Sequence, residues 1–362
     1  MVNGSDLSKN NLTGGHKRFL ELVYGLSENN NVILVANIKQ RLFNTNVRIC
    51  KIESKEHKYI PKHLCSMYAQ IKHLLKIKNN IKYDFAISFS PVTTICYKIA
   101  GYKNIISLFR ENMIEYQKAV NPSPLRLLYF MIQEVLAVRA SNKIIVQCKK
   151  DKDDLIKRNI KYCKRISNKI YIQINNVNAS WMKYTISNKL RFQDNVVRIL
   201  FVGNFSDKRK GHALLLPAIS KLLDQGYNLQ LYIAGKGKEL PKFMDQYKEY
   251  NQIIFLGHTK DIYKYLKICD FEIVPSLIDS CPNTILEGLN AGIAVYGTNT
   301  GGIPDILTSE KYMFAPNSNS IYLFLKNVLD KKLYISDAVN QKNLKEKLTF
   351  NWSEKIEQIC VM

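Results

Sequence analysis

The sequence lacks the markers of several protein classes. None of its eight cysteines (Cys50, Cys65, Cys96, Cys148, Cys163, Cys269, Cys281 and Cys360) forms a C-x-x-C pair. In 362 residues they are too sparse for a disulfide scaffold. The six histidines form no H-E-x-x-H and join no cysteine cluster, so neither a structural nor a catalytic zinc is expected. With only 16 Gly and 10 Pro, the chain is neither collagen-like nor proline-rich. No run of 18 or more apolar residues is present to span a membrane. The first fifteen residues are polar, without a basic leader and apolar run, so a cytoplasmic protein is expected. Acidic residues are also scarce, 30 against 53 Lys and Arg, for a net charge of +23.

What is present describes a folded chain. Apolar residues make up 46% and charged residues 23%, and 362 residues are more than one core usually holds, so two domains are expected. Residues 1–187 hold 31 Lys and Arg against 12 Asp and Glu, whereas residues 188–362 hold 22 against 18. The basic half suits an anionic partner: nucleic acid, anionic lipid or a phosphorylated substrate. A generally Lys-rich composition gives the same number. No nucleic-acid-binding motif accompanies the charge, and specific nucleic-acid binding is not expected.

In the second half, apolar runs alternate with helical spacing. Strands are expected at Val196–Gly203, Leu229–Gly235, Ile253–Gly257, Phe271–Pro275 and Ile293–Tyr296, with helices at Gly211–Gln225, Asp261–Ile268 and Thr284–Ala291. The first half repeats the pattern less clearly. Its strand candidates are Val32–Asn37, Asp84–Phe89, Asn104–Phe109, Ile144–Cys148 and Lys169–Ile174; its helix candidates are Phe19–Ser27, Ser66–Lys78 and Leu125–Arg139. Such alternation implies parallel sheets covered on both faces. The expected fold class is therefore α/β, two Rossmann-like doubly wound domains joined near residues 180–195, with the ligand in a cleft at the carboxyl ends of the strands. Only Met1–Gly4 precedes Asp6, so strand one is either very short or entered part-way by the start of the sequence.

Pro275–Asp305 reads PSLIDSCPNTILEGLNAGIAVYGTNTGGIPD. A strand ends at Pro275, a loop carries Asp279, Pro282 and Asn283, and a helix opens at Thr284 with unpaired backbone N–H groups, which favour a phosphate. Glu287 then lies within reach of a sugar hydroxyl. The same Thr284–Glu287 spacing also fits a capping box. Gly297–Gly302 is a tight turn that lets the backbone approach a ligand.

Here the chain resembles the retaining sugar-nucleotide glycosyltransferases of the GT-B fold, glycosyltransferase family 4 (glycosyl transferases group 1). Members carry PS-x-x-E-G/S-x7-E-(A/G)-x-x-x-G-x-P-V-(I/V) followed by GG-x-x-(E/D). This sequence has Asp279 in place of the usual first Glu, then Glu287, Gly292, Val295 and Gly301-Gly302-Ile303-Pro304-Asp305. The family stretch G-R-x5-K-G is similar to Gly203–Gly211, where Lys210 falls on the lysine that pairs with the donor diphosphate. Asn204 replaces the usual Arg; either Arg209 or Lys208 compensates for the missing charge, or the triplet, Arg209 in particular, is a solvated turn. Gly235-Lys236-Gly237 resembles the G-x-G loop near the base, and Phe255–His258 the FLG loop; His258 also reads as a surface residue. Gly14-Gly15 resembles the N-terminal glycine pair facing the donor phosphates, and Asn175-Asn176-Val177-Asn178 the N-G-V-D turn. Arg110 stands where many members have a histidine. Its planar guanidinium suits an acceptor or donor charge, or an Arg110–Glu111 surface pair; it cannot act as a base.

The resemblance implies an acceptor-binding domain at 1–187, a nucleotide-sugar-binding domain at 188–340, and a C-terminal helix at 341–362 that crosses back to the first. It implies a hexosyltransferase with Asp279, Glu287, Lys210 and Arg110 as catalytic residues. Gly14, Gly15, Asn204, Arg209, Lys210, Gly235, Gly237, His258, Pro282, Asn283, Thr284 and Glu287 would hold the donor. The donor would be a nucleotide diphosphate sugar, by preference UDP-sugar, with no metal or other cofactor and with retention by front-face attack. The D-x-D at Asp151–Asp153 reads as a solvated helix start. The acceptor would be a polysaccharide or a polyprenyl-diphosphate-linked glycan. Leu125–Arg139 then suits either an anionic membrane surface, making the protein peripheral at the inner face of the plasma membrane, or an ordinary buried helix. The alternatives are a nucleotide- or nucleic-acid-binding protein with a degenerate transferase site, a dinucleotide oxidoreductase, whose G-x-G-x-x-G is missing, and a sugar-nucleotide epimerase.

Overall fold

The computed structural model describes residues 2–7, 14–38, 47–52, 62–120, 123–177, 194–259 and 261–362. Met1, Asn178 and nearly all of the expected junction at 180–195 lie outside the described residues. The chain divides into two compact units. One comprises Met1–Gln117, Pro122–Ile174 and Asn351–Met362; the other comprises Lys118–Asn121 and Asn175–Phe350.

In chain order the first half runs β1 (Val2–Leu7), α1 (Gly14–Asn29), β2 (Val32–Ile38), β3 (Val47–Lys51), α2 (Lys62–Asn80), β4 (Ala86–Ser88), α3 (Pro91–Ile99), β5 (Ile105–Phe109), α4 (Met113–Val120), α5 (Pro124–Ala140), β6 (Lys143–Val146), α6 (Lys149–Asn159) and β7 (Ile170–Ile172). The strands form one parallel sheet in the order β3-β2-β1-β4-β5-β6-β7. Helices cover both faces, so the central strands read as continuous apolar runs; all five residues of β5 are buried. β1 extends past Gly4 to Leu7 and pairs with both β2 and β4. α3 was hidden from the sequence reading because its first turn, Pro-Val-Thr-Thr-Ile, favours strand. Pro91 at its start and the Ser90 side chain, which accepts from the Thr93 amide at 3.2 Å, decide for helix.

The second half runs β8 (Val197–Val202), α7 (His212–Asp224), β9 (Leu229–Ala234), α8 (Leu240–Gln246), β10 (Ile253–Gly257), α9 (Tyr263–Ile268), β11 (Phe271–Val274), α10 (Asn283–Ala291), β12 (Ala294–Thr298), α11 (Ile303–Leu307), β13 (Met313–Phe314), α12 (Ser318–Asp330), α13 (Leu333–Asn340), α14 (Lys342–Leu348) and α15 (Trp352–Val361). Its parallel sheet has the order β10-β9-β8-β11-β12-β13. Both sheets thus reverse direction beside their first strand, the doubly wound Rossmann pattern.

The last helix, α15, packs in the first unit against α1. Lys143 Nζ donates to the carbonyls of Ile359 at 2.9 Å and Cys360 at 3.0 Å, supplying a cation where the helix end leaves acceptors. At the crossing, Gly25 lies so close to Ser353 that a Cβ would overlap its Cβ and Oγ. Overpacking a core costs roughly 1–3 kcal/mol, whereas Ala for Gly in a helix returns about 1 kcal/mol. Gly25→Ala is therefore expected to lower the urea midpoint of the first unit, followed by circular dichroism, and Ser353→Gly in the same chain to recover part of the loss.

Candidate functional site

In the second sheet the winding reverses between β8 and β11, the place where doubly wound sheets leave a crevice at the carboxyl ends of their strands. Two loops border it: 203–211 after β8 and 275–282 after β11. They are locked together. Lys210 Nζ lies 2.7 Å from Asp279 Oδ2, with both side chains largely shielded from water. Asp279 Oδ1 accepts the Cys281 amide at 3.2 Å, and the Leu277 amide donates to the Arg209 carbonyl at 2.7 Å. The Gly302 amide donates to the Asp279 carbonyl at 2.9 Å, so the glycine turn after β12 is held by the same residue. Gly211, at φ 78°, sits on the Pro275 carbonyl where a Cβ would overlap the oxygen.

Within the first loop, Asn204 Oδ1 accepts the Ser206 amide at 2.8 Å, closing a turn. Arg209 donates to Asp207 from Nε at 3.0 Å and from Nη2 at 2.7 Å. Burial raises the Asp207 pKa, but the Arg209 hydrogen bonds and charge outweigh it and hold the carboxyl below its usual range. Arg209 is thereby tied to its own loop, and Lys208 is exposed beside it. Gly235 and Gly237 back directly onto this loop: a Cβ on the first would meet the Gly203 carbonyl and on the second the Ser206 amide. The Phe205 amide donates to the Lys236 carbonyl at 2.9 Å, and the Lys238 amide to Ser206 Oγ at 2.8 Å. The close loop-to-loop approach by itself accounts for the two glycines. His258 is exposed at the end of β10.

His212 lies under the loop, and sequence reasoning passed it over. It is 4% exposed, with its ring centroid 4.0 Å from that of Phe205, 4.8 Å from Phe201 and 5.9 Å from Phe243. Its Nε2 is 3.4 Å from the Gly203 carbonyl. Burial among these rings pushes its pKa down to about 4. The signal was a histidine opening an apolar helix, H-A-L-L-L.

α10 begins at Asn283 after Pro282, with no side-chain cap. Thr284 is already inside the helix, so the capping-box alternative does not form. Glu287 is the fifth residue of the helix and partly exposed. Asn283 Oδ1 accepts from Asn175 Nδ2 at 3.2 Å. The Asn175–Val177 turn is itself anchored by Asn176 Nδ2 to the Phe350 carbonyl at 2.9 Å and by the Val177 amide to the Leu348 carbonyl at 2.9 Å.

A second residue missed from sequence is Glu272, 1% exposed on β11 with an unpartnered Oε2. Gly288 of α10 leaves the space it occupies. Burial, then the charge of Glu287, raise its pKa well above the ordinary carboxylate value. An acid inside the apolar strand F-E-I-V was the available signal.

In the first unit, Gly14 and Gly15 form the opening of α1 instead of preceding it. Arg110, at the end of β5, donates from Nη1 to the Gly15 carbonyl at 2.9 Å, and its guanidinium carbon is 5.9 Å from the centre of the Phe89 ring. The structure thus brings together Arg110 and Gly15 in one unit, and Lys210, Asp279, Asn204, Arg209, Gly235 and Gly237 in the other. Asp151 is buried in the first turn of α6 and Asp153 exposed, so only the second is solvated as expected. Among the described residues no three His, Cys, Asp or Glu side chains cluster closely enough to hold a metal.

Solved structures share this architecture along the chain. Sucrose-phosphate synthase from Thermosynechococcus elongatus has a TM-score of 0.76 at 14% identity, covering 99% of this chain and 96% of that one. WaaG, a glycosyltransferase involved in lipopolysaccharide biosynthesis, has a TM-score of 0.74 at 15% identity, covering 99% of each. The fold is GT-B, with two Rossmann-like domains in one chain. More particularly, residues 196–329 match the family model described as Glycosyl transferases group 1. Among curated proteins, Protein CapJ of Staphylococcus aureus is 30% identical over 159 residues, 41% of this chain and 40% of that protein. The N-acetylgalactosamine-N,N'-diacetylbacillosaminyl-diphospho-undecaprenol 4-alpha-N-acetylgalactosaminyltransferase of Campylobacter jejuni is 30% identical over 139 residues, 36% of this chain and 37% of that protein. The chain spans about two fifths of the length of these curated relatives.

The buried His212 yields a pH dependence. Its folded pKa of about 4 lies below the ordinary 6.5, so on acidification the unfolded chain takes up the proton first. The stability that neutral His212 preserves is complete above pH 6.5 and is lost as pH falls towards 4. The loss amounts to about 3 kcal/mol. Urea unfolding across this window should show that slope, and His212→Leu should flatten it.

Proposed function

We propose that the protein is a retaining hexosyltransferase. It moves a hexose or N-acetylhexosamine from a nucleotide diphosphate sugar, by preference UDP-linked, to a glycan or polyprenyl-diphosphate-linked acceptor in surface polysaccharide synthesis, without a metal. The observation that carries this reading is the Lys210–Asp279 pair at the reversal of the second sheet. The uncapped start of α10 and Glu287 lie on the helix that follows the Asp279 loop. A cation facing an anion there is a preformed anion site with its own carboxylate in it.

The donor diphosphate takes the place of Asp279 at Lys210, one anion exchanging for another. The N–H groups of Asn283 and Thr284 face the same charge, which grows as the glycosidic bond breaks. Glu287 accepts the ribose hydroxyls. Asp279, released from Lys210, accepts from a hydroxyl of the transferred sugar. The acceptor hydroxyl attacks from the side the diphosphate leaves, and a leaving-phosphate oxygen takes its proton, so the configuration is kept without a covalent intermediate. In the first unit Arg110, steadied by the Gly15 carbonyl, holds acceptor charge. The Campylobacter jejuni relative acts, as its name states, on a diphospho-undecaprenol-linked sugar, which supports a lipid-linked acceptor; a place at the inner face of the plasma membrane is part of the same proposal.

Thermal shift or calorimetry against UDP-, GDP-, CMP- and dTDP-sugars and NAD, without added metal, is expected to single out one nucleotide. That response should disappear in Glu287→Ala. No response to any nucleotide would favour the degenerate-site alternative. In turnover, Glu287→Ala and Lys210→Ala are each expected to lower kcat/KM for the donor by ~10²-fold or more, the usual effect of one transition-state partner. Near-normal activity in both would sink the assignment. Arg110→Ala should reduce acceptor kcat/KM while leaving donor affinity unchanged.

A further inference from the structure

On α5 the usual polarity of a surface helix is inverted. Leu125, Leu128, Tyr129, Ile132 and Leu136 follow the spacing of one helical face, and all point to solvent at 42–81% exposure, with Met131 beside them. The inner face is made of small groups: Ala137, Val138 and Ala140 are buried where α5 meets α3. A scattered exposed leucine needs no explanation, but a contiguous stripe of this kind marks an interaction surface.

The helix is locked in this orientation. Glu134, on the buried side, accepts from Arg158 Nε at 2.9 Å and Nη2 at 2.8 Å, and from Asn159 Nδ2 at 2.6 Å, all on α6. Rolling α5 to hide its apolar face would break this shielded pair. Glu134 and Arg158 of the lock, with Leu128, Met131, Ile132, Val135, Leu136 and Tyr162, line a groove of about 250 Å³.

The surroundings identify the partner. Arg126 and Arg139 on α5, and Lys157, Lys161, Lys164 and Arg165 on α6 and the segment after it, are all exposed. Arg139 lies 5.8 Å from the centre of the Tyr162 ring at the edge of the groove. Residues 123–169 carry twelve Lys and Arg against four Asp and Glu. A second copy docked about a two-fold axis would set these like charges against each other. An anionic bilayer meets both features: the acyl region takes the apolar side chains and the headgroups take the basic rim.

We propose that the α5 face, with the end of α6, seats the protein on an anionic lipid bilayer. This deepens the reading of a lipid-linked acceptor by naming the surface that meets the membrane, and it is tested without the reaction. The chain is mixed with phosphatidylcholine vesicles prepared with and without phosphatidylglycerol, and the vesicles are sedimented. Binding is expected only with phosphatidylglycerol and is expected to weaken as salt rises. Leu128→Glu with Ile132→Glu should reduce it by about tenfold or more, because charged groups resist entry into the acyl boundary. Leu128→Ala with Ile132→Ala should reduce it less and in the same direction, and guards against misfolding. Leu323→Glu with Val339→Glu, exposed apolar positions in the other unit, should leave it unchanged. Absence of binding, equal binding to neutral vesicles, or binding unaffected by the α5 substitutions would overturn the proposal. So would self-association in sedimentation velocity that the same substitutions abolish, which would assign the face to a second copy. Donor binding measured in parallel separates this result from the transfer reaction, since either can fail alone.

Discussion

The Lys210–Asp279 contact is the constraint on which the site rests. A parallel sheet sends its connections out from the carboxyl ends of its strands, and where the winding reverses two loops part and leave a crevice. Left alone, such loops have little to hold them. Here one ion pair spans the opening at 2.7 Å, and the acid's remaining oxygen and carbonyl gather the Cys281 and Gly302 amides. The two loops are thereby set in place with no ligand between them, and under the proposed function a diphosphate would displace an anion instead of organising loose segments.

The same economy appears around that contact. Arg209 is held by Asp207, Asn204 closes a turn, and the glycines of the next loop are required by close backbone approach. These residues give Lys210 a rigid mount. His212 extends the mount into the core as a neutral ring among phenylalanines. Glu272 lies beneath α10, where burial and the neighbouring Glu287 both disfavour its charged form. Burying ionisable groups is costly, and two of those buried in the second unit, His212 and Glu272, lie on the elements that flank the switch point.

In the first unit the polar lock of Glu134, Arg158 and Asn159 has a different consequence. It fixes the direction in which a hydrophobic helix faces. From composition, Leu125–Arg139 was equally suited to a core or a surface, because a helix that is apolar nearly all round gives no preferred side. Its orientation follows from what lies behind it, small residues and one ion pair, and these partners come from elements distant in sequence.

Much of the architecture was legible in the sequence. Apolar runs of four to six residues between helical spacings identify β5, β8 and β11, since a strand buried on both faces has no polar side to disguise it; β9 and the edge strand β10 are as apolar in sequence although less deeply buried. The edge strands β3 and β13 were not legible, being short or mixed in burial, and α3 was masked by β-branched residues that a cap and a proline overrule. Of the site, the residue types and their loops could be read along the chain, because glycine spacing and an acid before a helix are local patterns. Pairing is not local. That Asp279 meets Lys210, that Arg209 bonds Asp207, that Thr284 fails to cap, that Glu272 lies beneath α10 and that His212 lies beneath the loop were all decided by tertiary packing. Sequence spacing determines which chemical groups a loop carries; only the sheet order and the close approach of loops determine which of them are neutralised before a ligand comes.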